Sequence, residues 1–301
     1  MGIYPISEVI RRTREGKHIT RGQFCEGICD DRTLRRIEVG KQMPSRSNTA
    51  AFMKRLGKNS DSYSLFVHCS DVEVYLEWEV LENLITNTEY EKAELYLAEF
   101  EEKLDLEDKV NQQFVKRLHA LIDYRLGRID SKTRRIQLIE ALRCTIPNYQ
   151  EGIIPKGIFS RYEVRLLCNI AITYAEEENY EEGLALLQQL EKYFKEIKVD
   201  QEERAVSEAL VLSNLAQTLG RMGRIQESIE IAEQATLLCE RMNRIGMLPN
   251  IIYNIAYGKE LRGEDKEACQ LLFQQAYYIA KLCGNNKISE HIKKHINQIK
   301  K

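Results

Sequence analysis

Two sets of side chains in this chain have types and spacings suited to binding. The first lies in DDRTLRRIE, residues 30–38, where Arg32, Arg35 and Arg36 fall on the helix side opposite Leu34 and Ile37. A guanidinium is a planar fork of donors that matches a phosphate or the O6/N7 edge of guanine, so outward arginines on one short helix suit a nucleic acid. The second is an asparagine that recurs as Asn169, Asn214 and Asn254, spaced by 45 and 40 residues. Asparagine is a poor helix former, and its amide both donates and accepts, which suits the backbone of an extended peptide.

Other chemistries lack their residues. There is no glycine-rich phosphate loop, no HExxH and no G-x-S-x-G. His18, His68, His119, His291 and His295 are scattered; the last two stand four apart without an intervening glutamate. Cys25, Cys29, Cys69, Cys144, Cys168, Cys239, Cys269 and Cys283 show no zinc spacing and read as reduced core thiols. No enzymatic activity, metal or cofactor is therefore expected. Apolar runs are too short for a membrane span, and the N-terminus lacks the apolar core of a signal peptide, so a cytoplasmic protein is expected.

The elements that must position these side chains read as helices throughout. Glycine and proline are scarce, 16 and 5 of 301 residues, while Leu, Glu, Lys, Arg, Ala and Ile dominate. Charge divides the chain in two. Residues 1–58 carry 13 basic against 6 acidic side chains, and the remainder 31 against 40, so the net −2 conceals a head of +7 and a body of −9. A basic head on an acidic body implies that the head alone meets a polyanion.

Within the head, ISEVIRRTRE predicts a first helix with Ile6, Val9, Ile10 and Thr13 on one face, stopped by Gly16. Thr20 and Gln23 form a capping box for a second, carrying Phe24, Cys25 and Ile28, with Gly27 at a tight turn. Asp30 caps the third, Gly40 ends it, and a fourth follows from Ser47 to Leu56 with Ala51, Met53 and Leu56 as core candidates. This is a helix-turn-helix layout. The segment ITRGQFCEGICDDRTLRRIEVGKQMPS resembles the repressor-like helix-turn-helix of the Cro/C1 and xenobiotic-response-element type. It departs from that type at Arg21, where a phosphate-touching glutamine is usual, and in the acidic pair Asp30–Asp31. Arg32, Thr33 and Arg36 are the candidates for base-edge contact, and Arg21, Arg35, Lys41 and Arg46 for phosphates. Glu38 reads as structural, bonding within the head.

After a polar linker at 59–72, residues 73–301 repeat themselves. NIAITYAEEENYEEGLALLQQL, NLAQTLGRMGRIQESIEIAEQA and NIAYGKELRGEDKEACQLLFQQ align Leu167, Leu212 and Ile252; Ala171, Ala216 and Ala256; and Glu182, Glu227 and Glu267. Gly183, Ser228 and Ala268 align where two helices must approach closely. The pattern resembles tetratricopeptide repeats, with TEYEKAELYLAEF as half of an earlier copy and 115–147 as a degenerate one. The expected fold is all-α: a helix-turn-helix domain at 1–58, then a tetratricopeptide-like right-handed solenoid of about five helix pairs and a capping helix.

At about 100° per residue, Asn169 lies away from Leu167 and Ala171, so the three asparagines are expected to line the concave side. Arg165, Gln217, Asn250 and Tyr257 fall one turn away on that face. The alternative is that each asparagine bonds a neighbouring helix and sets repeat spacing. The whole combination, with EALRCTIPNYQ and FSRYEVRLLCNIAITY, resembles the RRNPP group of quorum-sensing peptide-receptor regulators of Gram-positive bacteria. That resemblance implies a homodimer, a promoter in double-stranded DNA, and a short linear peptide in the groove, with no membrane partner. The rival readings are repeats that bind a protein, or a scaffold that sequesters partner proteins.

Overall fold

The computed structural model describes residues 4–57, 66–67, 69–197, 201–241 and 243–299. The chain divides into two compact units, Met1–Asn83 and Leu84–Lys301. Of the segment expected as a linker, 59–72, the described parts are a short strand and the first turn of a helix; the rest lies outside the described residues.

In the first unit, four short helices surround one small core. They are α1 (Ile6–Gly16), α2 (Arg21–Cys25), α3 (Asp31–Glu38) and α4 (Arg46–Arg55). Thr20 and Gln23 form the reciprocal capping box, Asp30 caps α3 through the Thr33 amide, and Ser45 caps α4 through that of Asn48. Gly27, between α2 and α3, has a φ of 71°, a conformation that glycine adopts without a Cβ penalty. Ile6, Ile10, Phe24, Leu34, Ile37, Phe52, Met53 and Leu56 fill the interior. Phe52 stacks on Phe24 at 5.1 Å, and it rather than the half-buried Ala51 is the central residue of α4. Arg55 donates to the carbonyls of Phe24 and Glu26, both at 2.7 Å, fastening α4 to the end of α2. A two-residue parallel pairing of β1 (Tyr4–Pro5) with β2 (Phe66–Val67) is the one addition to an all-α fold among the described residues. Helix α5 (Cys69–Thr86) follows.

The second unit is a stack of helices: α6 (Tyr90–Glu101), α7 (Lys109–Arg125), α8 (Ser131–Arg143), α9 (Arg161–Glu176) and α10 (Tyr180–Glu196), then α11 (Gln201–Arg221), α12 (Ile225–Arg241), α13 (Leu248–Leu261), α14 (Lys266–Leu282) and α15 (Asn286–Ile299). From α6 onward each helix packs on the next, and α9, α11, α13 and α15 also pack in succession on one another. That is the layering of a tetratricopeptide-like solenoid, in which the first helices of the pairs form one layer and the second helices the other. The repeated apolar positions explain it: Leu167, Leu212, Ile252 and the three aligned alanines are all buried. Helix α11 serves two cores. Val211, Leu215 and Leu219 belong to the one built on α8–α10, and Ala209, Leu212 and Ala216 to the one built on α12–α15.

The close approaches occur at two of the three aligned small residues. A Cβ on Gly183 would stand 2.8 Å from the Ala171 carbonyl oxygen, and Ser228 donates to the Ala216 carbonyl at 2.7 Å. Ala268 is exposed, contrary to the alignment; it is third in α14, whereas Gly183 and Ser228 are fourth in their helices. Gly183→Ala is expected to destabilise the array by about 1–3 kcal/mol, because backbone must move to admit the methyl. Gly246→Ala, with nothing within 4 Å, serves as the control. Urea unfolding of both reads the difference, and equal midpoints would show that the helices can separate freely.

Candidate functional sites

The short α3 displays the arginines as the sequence requires. Leu34 and Ile37 are buried, while Arg32, Arg35 and Arg36 are exposed and their side chains have no hydrogen-bond or ion-pair partner among the described residues. Lys41, just beyond α3, is likewise exposed and unpartnered. Several other arginines of the head are engaged: Arg11 and Arg12 pair with Glu8, Arg14 with Glu38, and Arg55 with two carbonyls of the α2 end. The free guanidiniums are thus concentrated on the helix that a helix-turn-helix offers to the major groove.

Two candidates are more constrained. Thr33 donates its hydroxyl to Asp30 at 2.7 Å, which leaves its oxygen lone pairs and methyl for a ligand. Hydrogen bonds from the Thr33 hydroxyl and amide hold the Asp30 carboxyl below its usual range, so this acid is committed to the cap. Arg21 bonds Glu38 through Nε at 2.6 Å, and that carboxylate raises its pKa. Arg46 opens α4, but its side chain lies outside the described residues. Glu38 is buried within the head, as its sequence context suggests.

All three asparagines are half-buried, and two of them turn their amide nitrogens inward. The amide nitrogens of Asn169 and Asn214 are buried and make no hydrogen bond. The Cys168 thiol is beside the Asn214 amide, which partly offsets the burial that pushes this thiol up to about 12; sulfur is a weak acceptor and leaves the amide largely unsatisfied. Asn254 is half-buried. Around them Arg165 is half-buried, and Gln217, Asn250 and Tyr257 are exposed. Sequence reasoning missed the surroundings of Tyr257. Its ring lies parallel to Tyr253 at 6.2 Å, with His295 edge-on at 5.7 Å. His295 meets Glu260 at 2.9 Å and His291 meets the Tyr253 hydroxyl at 3.2 Å, so this pair is occupied within a cluster of α13, α14 and α15. The i,i+4 spacing alone could not reveal that.

No cluster of three or more metal-type side chains exists among the described residues. Cys25, Cys29, Cys144, Cys168, Cys239, Cys269 and Cys283 are free thiols, and no helix among the described residues is long and apolar enough to cross a membrane.

The fold is therefore a helix-turn-helix unit joined to a tetratricopeptide-like array. Comparison with solved structures places it near proteins of that architecture. The chain is similar to Bacillus thuringiensis PlcR in complex with the peptide PapR7 and DNA, with 18% identity, a TM-score of 0.75, and coverage of 95% of this chain and 98% of that one. It is also similar to ComR from S. thermophilus in complex with DNA and its signalling peptide ComS (16%, TM-score 0.60, 98% and 100%). A third likeness is to the Streptococcus dysgalactiae SHP pheromone receptor Rgg2 (16%, TM-score 0.58, 97% and 99%). No protein-family model and no curated protein matches the sequence. At these identities the likeness establishes the fold.

Proposed function

We propose that this chain is a cytoplasmic, homodimeric transcription regulator that is not an enzyme. Its head binds promoter DNA and its repeats bind a short signalling peptide, in the manner of the RRNPP regulators. The reading is carried by one observation: both candidate surfaces are chemically incomplete in the isolated chain. On α3, Arg32, Arg35 and Arg36 have no partner among the described residues. On α9 and α11, two buried amide nitrogens lack an oxygen or nitrogen acceptor among the described residues, that of Asn214 having only the Cys168 sulfur beside it. Buried polar groups are nearly always satisfied, and an exception invites a missing ligand.

In this reading Arg32 and Arg36 contact base edges, and Thr33 meets a base through its methyl or as an acceptor. Arg21, Arg35, Lys41 and Arg46 bond phosphates. Asn169, Asn214 and Asn254 bond the peptide backbone, and Arg165, Gln217, Asn250 and Tyr257 contact its flanks. Peptide changes the curvature of the array and so the placement of two heads on a DNA dyad. Two complexes of similar fold contain both a peptide and DNA, which supports the pairing of ligands.

The test is native mass spectrometry of the protein purified from its own host, followed by selection of bound genomic fragments with and without whatever is retained. A dimer holding a small peptide is expected. A monomer, or a co-purified protein in place of the peptide, counts against the reading. Asn214→Ala is expected to abolish the response while ligand-free DNA binding persists. It should also raise the unfolding midpoint, since an unsatisfied buried group costs about 1–3 kcal/mol. DNA binding lost to the same extent as the response would sink the assignment of Asn214.

A further inference from the structure

Glu38 ends α3 with its side-chain carboxylate fully buried. It holds two guanidiniums. Arg14 of α1 reaches it through Nε at 2.5 Å and Nη2 at 3.1 Å; Arg21, the first residue of α2, reaches it through Nε at 2.6 Å. Arg14 is itself sealed in, with 7% of its side chain exposed, and gives Nη1 to the Ile19 carbonyl at 2.9 Å. Arg21 differs. Its side chain is 41% exposed, and its two Nη amino groups have no hydrogen-bond partner.

One carboxylate facing two guanidiniums leaves a unit of positive charge, and the exposed member displays it. Glu15, which touches Arg14 at 3.2 Å, and Asp31 also act on this charge, but both are solvent-exposed and screened. A guanidinium anchored at Nε has a fixed plane, and its free Nη pair matches two oxygens of one phosphate. We propose that Glu38 is a positioning residue for DNA binding: without touching DNA, it orients Arg21 so that the Nη pair grips a backbone phosphate. This rests on the DNA-binding reading above and adds to it the group that makes Arg21 rigid.

Binding of a mixed-sequence duplex, measured against salt for wild type, R21A, R21K, E38Q and the R21A/E38Q pair, tests this. Wild-type protein that fails to bind the duplex overturns the DNA-binding reading and the inference together. Given wild-type binding, R21A is expected to lower the slope of log K against log salt by about one per protomer. E38Q should lower it by the same amount in the wild-type background and by nothing more in R21A. R21K keeps the charge and the Arg14–Glu38 pair, yet a lysine ammonium is a single point that bonds either the carboxylate or the phosphate, so it should behave like R21A. A wild-type slope in R21K overturns the inference alone, even if E38Q does not fold. So does an equal loss of binding from E38Q with and without Arg21, which is the mark of a purely structural role.

Discussion

Replacing Arg134 with alanine is expected to cost the repeat unit about 3 kcal/mol of unfolding free energy, the lower end for a broken buried pair. Arg134 lies on α8 with 3% of its side chain exposed and donates to Glu176 at the end of α9. Its guanidinium lies 3.8 Å from the centre of the Tyr124 ring of α7, so one side chain ties three successive helices. Burial pulls the Arg134 pKa down and Glu176 works against that pull, the pattern of a cation retained by its partner. Alanine leaves the Glu176 carboxylate, 17% exposed, with the hydroxyls of Ser131, at 3.0 Å, and of Tyr124 as its remaining donors, and also opens a cavity over the tyrosine. Partial exposure of Glu176 is why the lower figure applies. Urea unfolding of the full chain measures the effect. A change below about 1 kcal/mol would class the pair with ordinary surface ion pairs.

Alanine at both Arg32 and Arg36 is expected to flatten sequence preference by about 1–3 kcal/mol for each residue. That is about 5- to 150-fold per position. Neither side chain is used within the protein, so the head should remain folded. Its interior is made by Leu34, Ile37 and the residues packed with them, which lie on the other side of α3. Arg35→Ala or Lys41→Ala should instead weaken binding uniformly across sequences, because phosphate contacts carry no base information. Selection from randomised duplexes separates the two outcomes. An unchanged consensus in the double variant would falsify the placing of α3 as the reading helix.

Much of the head was legible because its signals are local. The Thr20–Gln23 capping box, the Asp30 cap and the inward Leu34 and Ile37 all follow from neighbours within four residues. Phe52 was missed because Ala51, Met53 and Leu56 satisfy a helical stripe almost as well, and only the stack on Phe24 decides the phase. Glu38 could be read as structural, but its partners Arg14 and Arg21 lie 24 and 17 residues away and no periodicity connects them. In the array, repetition revealed the buried leucine and alanine positions, since each copy solves the same packing problem. It could not reveal that Ala268 is exposed, because alignment fixes sequence offset and not place in the helix. Nor could it show that the amide nitrogens of Asn169 and Asn214 are buried, which depends on the packing around them.

Helix α11 has a consequence for how the array responds to force. Its two apolar stripes, Val211–Leu215–Leu219 and Ala209–Leu212–Ala216, make it a shared wall of both cores. A stack with a dry seam would fold there like a book, turning a push at one end into a swing at the other. Here no such seam is available at α11, and close-packed interiors resist compression. A displacement of α11 is therefore felt by both cores at once, and Asn214 sits on that helix.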